Sequence, residues 1–237
     1  MARARPGLAT LSPGSGLFLA VALLCGWALL HPVPYGLCVT LLGAGALAAL
    51  ALPRLSGNRF PLQAKNGYVG ASGQAALYLS MILVVRALSD IDMIDWKDPL
   101  LLAGAGGLAF VGLGVAANPS GIRTRDPKGI IGLAISFLLA GAAFGLGASI
   151  EANMLLDGST QATHRLQVTG KWVARGRATR WHLALAAPNE LGIDDVHVSD
   201  WLYANAPVGQ YVCVQSRGGA LGFRYYWVEI CPPVTGA

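Results

Sequence analysis

The chain has 237 residues, 54% of them hydrophobic and only 12% charged, against roughly 25% charged in an ordinary soluble domain. Its formal charge of +5, from 17 Lys and Arg against 12 Asp and Glu, is spread in short clusters between apolar segments. That distribution excludes the single basic face that nucleic acid would need and predicts the lipid bilayer as the first partner.

Five apolar segments approach the roughly 17 to 25 residues that a helix needs to cross a bilayer. They cover about 16–30, 35–52, 70–88, 99–117 and 129–150, and none has a charged residue near its centre. Backbone polar groups in such segments must be satisfied internally, which predicts helices. The basic start could mark a signal peptide, but GWALLHPVPYG offers no small-x-small cleavage site, so the first span is expected to be retained.

Arg3, Arg5, Arg54, Arg59, Lys65, Arg123, Arg125 and Lys128 all lie on one side of a five-span arrangement, whereas the opposite side has the HPVPYG turn and the acidic loop SDIDMIDWKDP. Cations mark the cytoplasmic side. The N-terminus is therefore expected inside and the C-terminus outside, with a transmembrane domain over 1–156 and an extracytoplasmic domain over 157–237.

Past Asp157 the charged residues return and Val, Trp and Tyr alternate with polar residues, the signature of strands. Strands are expected at about 165–173, 180–186, 195–201, 210–215 and 223–231. Together they predict a small all-β domain, barrel- or sandwich-like. The Gly residues of GGALG are expected to close a hairpin between the last two strands.

The spans carry few groups able to do chemistry. Arg86, near the outer end of the third span, is expected to snorkel or meet the acidic loop. Glu151, at the outer end of the fifth, has the geometry to pair with Arg86 but reads first as a solvated residue at a helix end. A membrane enzyme at this interface could draw only on Arg86, Asp90, Glu151 and His164. Gly141 and Gly145 form a GxxxG pair that Ser149 extends, and Thr40, Ala44 and Ala48 form a weaker equivalent. Such spacing brings helices together, within one chain or between copies in a homo-oligomer.

Cys25 and Cys38 flank the first turn and read as buried thiols. Cys213 and Cys231 lie in the outer domain, where an oxidising compartment would favour their pairing. A hairpin centred near Ala220 sets Cys213 opposite Tyr226 or Trp227, so a bulge, a bend or a neighbouring strand must bring the two sulfurs together. Two free thiols are the alternative. His164, His182 and His197 show no metal spacing with the cysteines, and there is no HExxH, GxSxG or P-loop, so neither metal nor cofactor is expected. Of the aromatic residues in FRYYWVEI, Tyr225 and Trp227 are candidates for an exposed contact face.

The tail YVCVQSRGGALGFRYYWVEICP resembles a C-terminal pattern of uncharacterised bacterial inner-membrane proteins: a VCV strand, a GALG turn and an aromatic strand ending in Cys. The resemblance covers about the last 25 residues and implies an inner membrane with the β domain in the periplasm. It implies no catalytic residue. The resulting expectation is a non-enzymatic membrane protein whose β domain binds or assembles with an envelope partner. The alternative is a subunit of a small oligomeric transporter or channel, which should show a polar path between its spans.

Overall fold

A computed structural model describes residues 13–30, 32–64, 69–117, 127–176 and 179–232. The basic positions Arg3, Arg5, Lys65, Arg123 and Arg125, and His31 in the first turn, lie outside the described residues. Two compact units emerge, one made of Met1–Leu88 and Leu100–Glu151, the other of Ser89–Pro99 and Ala152–Ala237. The acidic loop, Ser89–Pro99, belongs with the β-rich unit.

The first unit is helical. Its elements are α1 (Pro13–Leu30), α2 (Tyr35–Leu55), α3 (Ala71–Asp90), α4 (Lys97–Ala117) and α5 (Pro127–Leu155), of which the last residues of α3, the first of α4 and the end of α5 fall in the other unit. α2 to α5 are long and apolar enough to cross a membrane, and α1 is apolar but shorter. α2 ends where Gly57 and Asn58 adopt positive φ (59° and 69°), conformations that stop a helix.

The helices bury small and aliphatic residues against one another. Cys38, Leu42, Ala46 and Leu50 of α2 meet Ala75, Ala76, Leu79 and Leu83 of α3, with Phe110 and Ala140 contributed by α4 and α5. Phe110 stacks on Phe144 at 4.7 Å. Outward, the same helices present large apolar residues, Leu101 at 67% and Leu108 at 71% exposure, on a scale that monomers in water rarely show.

α4 and α5 touch backbone to backbone. A Cβ on Gly141 would lie 2.7 Å from the Gly107 carbonyl oxygen, and one on Gly145 would overlap the carbonyl of Ala103. The expected GxxxG contact is thus made inside one chain. Ser149 is buried on the same helix and donates to the Leu146 carbonyl at 3.0 Å, whereas Thr40, Ala44 and Ala48 are exposed.

The second unit is a single curled antiparallel sheet of six strands, a half-barrel, rather than a closed barrel or a two-sheet sandwich. Its strands are β1 (Asp92–Met93), β2 (Ala162–Ala174), β3 (Arg180–Leu185), β4 (Asp195–Val198), β5 (Tyr211–Arg217) and β6 (Tyr225–Ile230), in the order β1-β6-β5-β2-β3-β4. β2 makes the curl. Its first half pairs with β5 and its second half with β3, with a register break between Val168 and Gly170 where the partner changes. Bulges of this kind bend a strand and increase its twist.

Two elements differ from the sequence reading. The acidic loop contributes β1, paired with Tyr225 and Tyr226 of β6. The stretch expected to continue as strand to Trp201 instead turns into the short helix α6 (Asp200–Asn205), because Ser199 Oγ accepts the Leu202 N–H at 3.1 Å and caps its start.

The β core consists of Val168, Leu183, Leu185, Val196, Val198, Val212 and Val214, all on one face of the sheet. Cys213 and Cys231 form a disulfide. The hairpin places Glu229 opposite Cys213, two residues further along than a centre at Ala220 would give. Cys231 is then the diagonal neighbour on the next same-face position, just past the end of β6, with 4.9 Å between the two Cα atoms.

Candidate functional site

Two groupings of polar and aromatic side chains stand out, one in each unit. In the helical unit, Glu151 is only 2% exposed. Tyr35, the first residue of α2, donates its hydroxyl to Glu151 Oε1 at 2.7 Å, and the Arg86 guanidinium lies 5.9 Å from the centroid of the same tyrosine ring. The expectation of a solvated Glu151 is overturned. A carboxylate removed from water requires partners, and Tyr35 bridges it to Arg86 through its hydroxyl on one side and its π face on the other.

The sequence offers a pairing of Arg86 with Glu151 as a geometric possibility, and Tyr35, which contacts both, is not among its candidates. The signal was present: a tyrosine at the mouth of a tight turn combines an apolar body with a hydroxyl at its tip. Asp90 is exposed at the end of α3. His164 lies on the sheet, where Nε2 meets Ser216 Oγ at 3.1 Å and Nδ1 meets Glu190 Oε2 at 3.2 Å.

In the β unit, alternation decides what faces outward. Leu183, Val196 and Val198 point into the core, so their neighbours in sequence form two rows across the opposite face. One row is Trp172, His182 and His197; the other is Gly170, Ala184 and Asp195. Trp172 and His182 stack with centroids 3.9 Å apart and planes 11° from parallel.

Asp195 holds both rings. Trp172 Nε1 donates to its Oδ1 at 3.0 Å, and His182 Nδ1 lies 2.8 Å from Oδ2. The contact assigns the proton to Nδ1. Trp172 nevertheless remains 47% exposed, and the small residues Gly170 and Ala184 leave a flat strip beside it. An aromatic surface whose orientation is already fixed loses little entropy on binding. Among the described residues no three His, Cys, Asp or Glu side chains gather in a metal-binding group.

The face expected from FRYYWVEI is less available. Tyr225 is 6% exposed and donates to Asp157 Oδ2 at 2.9 Å; it is a packing residue, not a contact residue. Trp227 is half-buried between Tyr225, 6.3 Å away, and the Arg217 guanidinium, 5.9 Å away. Among the described residues of this unit, the exposed aromatic side chains are Trp96, Trp172, Trp201 and Tyr211.

Behind this hairpin, Asn153 fixes the loop between β5 and β6. Its Nδ2 donates to the Phe223 carbonyl at 2.8 Å, and its Oδ1 accepts the N–H groups of Leu221 and Phe223 at 2.9 and 3.3 Å. Burial pushes the Asp157 carboxyl up, but hydrogen bonds from Ser159 and Tyr225 and the charge of Arg217 outweigh it and hold the group below its ordinary value. Burial pushes Tyr225 up, and its bond to Asp157 adds to the effect. Burial likewise raises Tyr226, helped by the nearby carboxylates of Asp92 and Asp195.

No family model, no curated protein and no solved structure matches this chain.

Proposed function

We propose that the chain is a non-enzymatic inner-membrane protein whose β unit, displayed outside the cytoplasm, binds or assembles with an envelope partner. The observation that carries this reading is the Trp172–His182–Asp195 platform: an exposed tryptophan, stacked and hydrogen-bonded in place on the outer face of the sheet. Tryptophans held in this way are the residue type that dominates binding energies at interfaces. The disulfide supports an oxidising compartment for the β unit. The cation distribution supports a cytoplasmic N-terminus, and this topology requires α1, apolar but shorter than α2 to α5, to cross as the fifth span.

The helical unit supports binding over transport. Its interior is built from Ala, Leu and Gly contacts. Its described ionisable residues inside the bundle, Arg86 and Glu151, meet at one end through Tyr35 instead of lining a path. The reading as a transporter subunit rests on that cluster alone.

The test is site-specific photocrosslinking in intact cells. A photoreactive phenylalanine analogue at position 172 should give a discrete adduct of higher mass. No adduct from 172, together with one from position 201 or 211, would sink the platform as the binding site. Impermeant maleimide labelling of Cys213 and Cys231 in intact cells, seen only after reduction, is the outcome expected of the topology.

A further inference from the structure

The pairing of β3 with β4 sets His182 directly opposite His197. The Leu185 N–H donates to the Asp194 carbonyl at 2.8 Å, which marks those two residues as a hydrogen-bonded pair. Alternation along the ladder then makes His182 and His197, three steps on, a non-hydrogen-bonded pair, the kind in which Cα atoms lie about 4.5 Å apart and side chains come closest. The two imidazole centroids are 5.7 Å apart. One metal ion held at about 2.1 Å by a nitrogen of each ring, at a tetrahedral angle, would set the centroids about 5 Å apart, so a small rotation of the side chains suffices.

His182 is already arranged as a ligand. Its Nδ1 donates to Asp195 Oδ2 at 2.8 Å, which leaves the lone pair on Nε2. A carboxylate in this position fixes the tautomer and raises the basicity of metal-binding histidines. The Trp172 ring, stacked 3.9 Å away, fixes the plane of the imidazole. The His182 side chain keeps 15% of its surface open, and His197 is exposed on β4, the edge strand of the sheet. Asp92 of β1 adds a second carboxylate nearby: burial pushes its carboxyl up, and the charge of His197 draws it back.

We propose that His182 and His197 bind a divalent late first-row transition metal, copper(II) more tightly than zinc(II), with water completing the coordination. Imidazole nitrogens suit these metals, whereas calcium and magnesium take oxygen ligands. The expectation of no metal came from spacing against the cysteines; the strand register supplies a different partner. Two protein ligands make a site smaller than a three-residue cluster, so the metal exchanges reversibly. The inference shares His182 with the platform but depends neither on a partner at Trp172 nor on the topology.

Copper(II) titration of the full chain in detergent tests it, followed by tryptophan fluorescence and electron paramagnetic resonance. One copper(II) per chain should quench Trp172, which lies against His182, and its spectrum should show two nitrogen donors. His182→Ala and His197→Ala should each raise the Kd about tenfold or more, and Asp195→Asn, which removes the charge behind His182, about tenfold. His197 lies outside the Trp172 stack, so its replacement tests the site without removing a member of the platform. His164→Ala, on the core face beside Val214, should bind copper(II) as the wild type does. Wild-type affinity in both His182→Ala and His197→Ala overturns the proposal, and so does a wild-type spectrum with a single nitrogen donor.

Discussion

Opening the Cys213–Cys231 bridge should destabilise the β unit strongly, because of what the bridge closes. The two cysteines are 18 residues apart, and a cross-link of that span restricts the unfolded chain by about 3 kcal/mol in the loop-entropy model. The unit contains roughly 100 residues, a size at which each kcal/mol moves the melting point by about 4–8 °C. Reduction should therefore lower the melting temperature of this unit by about 12–24 °C. Five of the six tryptophans, at 96, 172, 181, 201 and 227, lie in it, so tryptophan fluorescence of the full chain in detergent reports its unfolding. Cys213 is 2% exposed on a central strand, which makes Ala the better replacement, since Ser would bury a hydroxyl. The Cys213→Ala/Cys231→Ala protein and the reduced wild type should melt together, both well below the oxidised protein. A difference of less than about 3 °C between oxidised and reduced wild type would refute the reasoning, because the six-pair β5–β6 register and the Asn153 clamp would then hold the hairpin without the bridge.

The contact between α4 and α5 predicts that Gly145→Leu, whose side chain would have to occupy the space of the Ala103 carbonyl, costs more than the about 1–3 kcal/mol usual for overpacking. Gly16→Leu, with open space around it, should be tolerated; size-exclusion profiles in detergent compare the two. The lowered Asp157 carboxyl predicts stability that is present above the ordinary carboxylate range near pH 4 and lost as pH falls through the lower folded value. The raised Tyr225 predicts stability that is present below about pH 10 and lost above it. Melts of Asp157→Asn against wild type from pH 3 to 7 should converge at the acid end. For the buried cluster, Glu151→Leu alone should cost about 3–5 kcal/mol by stranding its partners. A cycle with Tyr35→Phe should return a coupling of about 0.5–3 kcal/mol, and a coupling near zero would remove Tyr35 from the cluster.

The helices were legible in the sequence because their signal is one of length and apolarity, which needs no knowledge of the partner. The elements 16–30, 35–52, 99–117 and 129–150 each fall within a helix of the structure, and 70–88 begins one residue before α3. The strands were legible as alternation, but their assembly was not. Whether β2 closes a barrel or bends into an open curl depends on the register break at Val168/Gly170, which is set by two different partner strands. β1 was hidden because two residues, Asp92 and Met93, have no periodicity. α6 was hidden because Val196-x-Val198 alternates up to a serine whose capping role shows only when the chain turns.

The site was harder to read for a related reason. Trp172, His182 and Asp195 are 10 and 13 residues apart, and no spacing rule connects them; only the register of β2 on β3 and of β3 on β4 places them on one face. Tyr225 and Trp227 look like a contact patch in one dimension because aromatic residues cluster there. In the folded chain the Asp157 carboxylate draws the Tyr225 hydroxyl inward, and that ring becomes core. The same logic accounts for Glu151. A lone acid at a helix end reads as solvated until a tyrosine from a segment 116 residues away supplies the hydrogen bond that makes burial affordable. In both units, then, the polar residues are located by the partner that each requires once it leaves water, and the partner is the part that a linear reading cannot see. This is why substitution of partners in pairs, at Tyr35 with Glu151 and at Trp172 with Asp195, separates function from folding better than removal of any one residue.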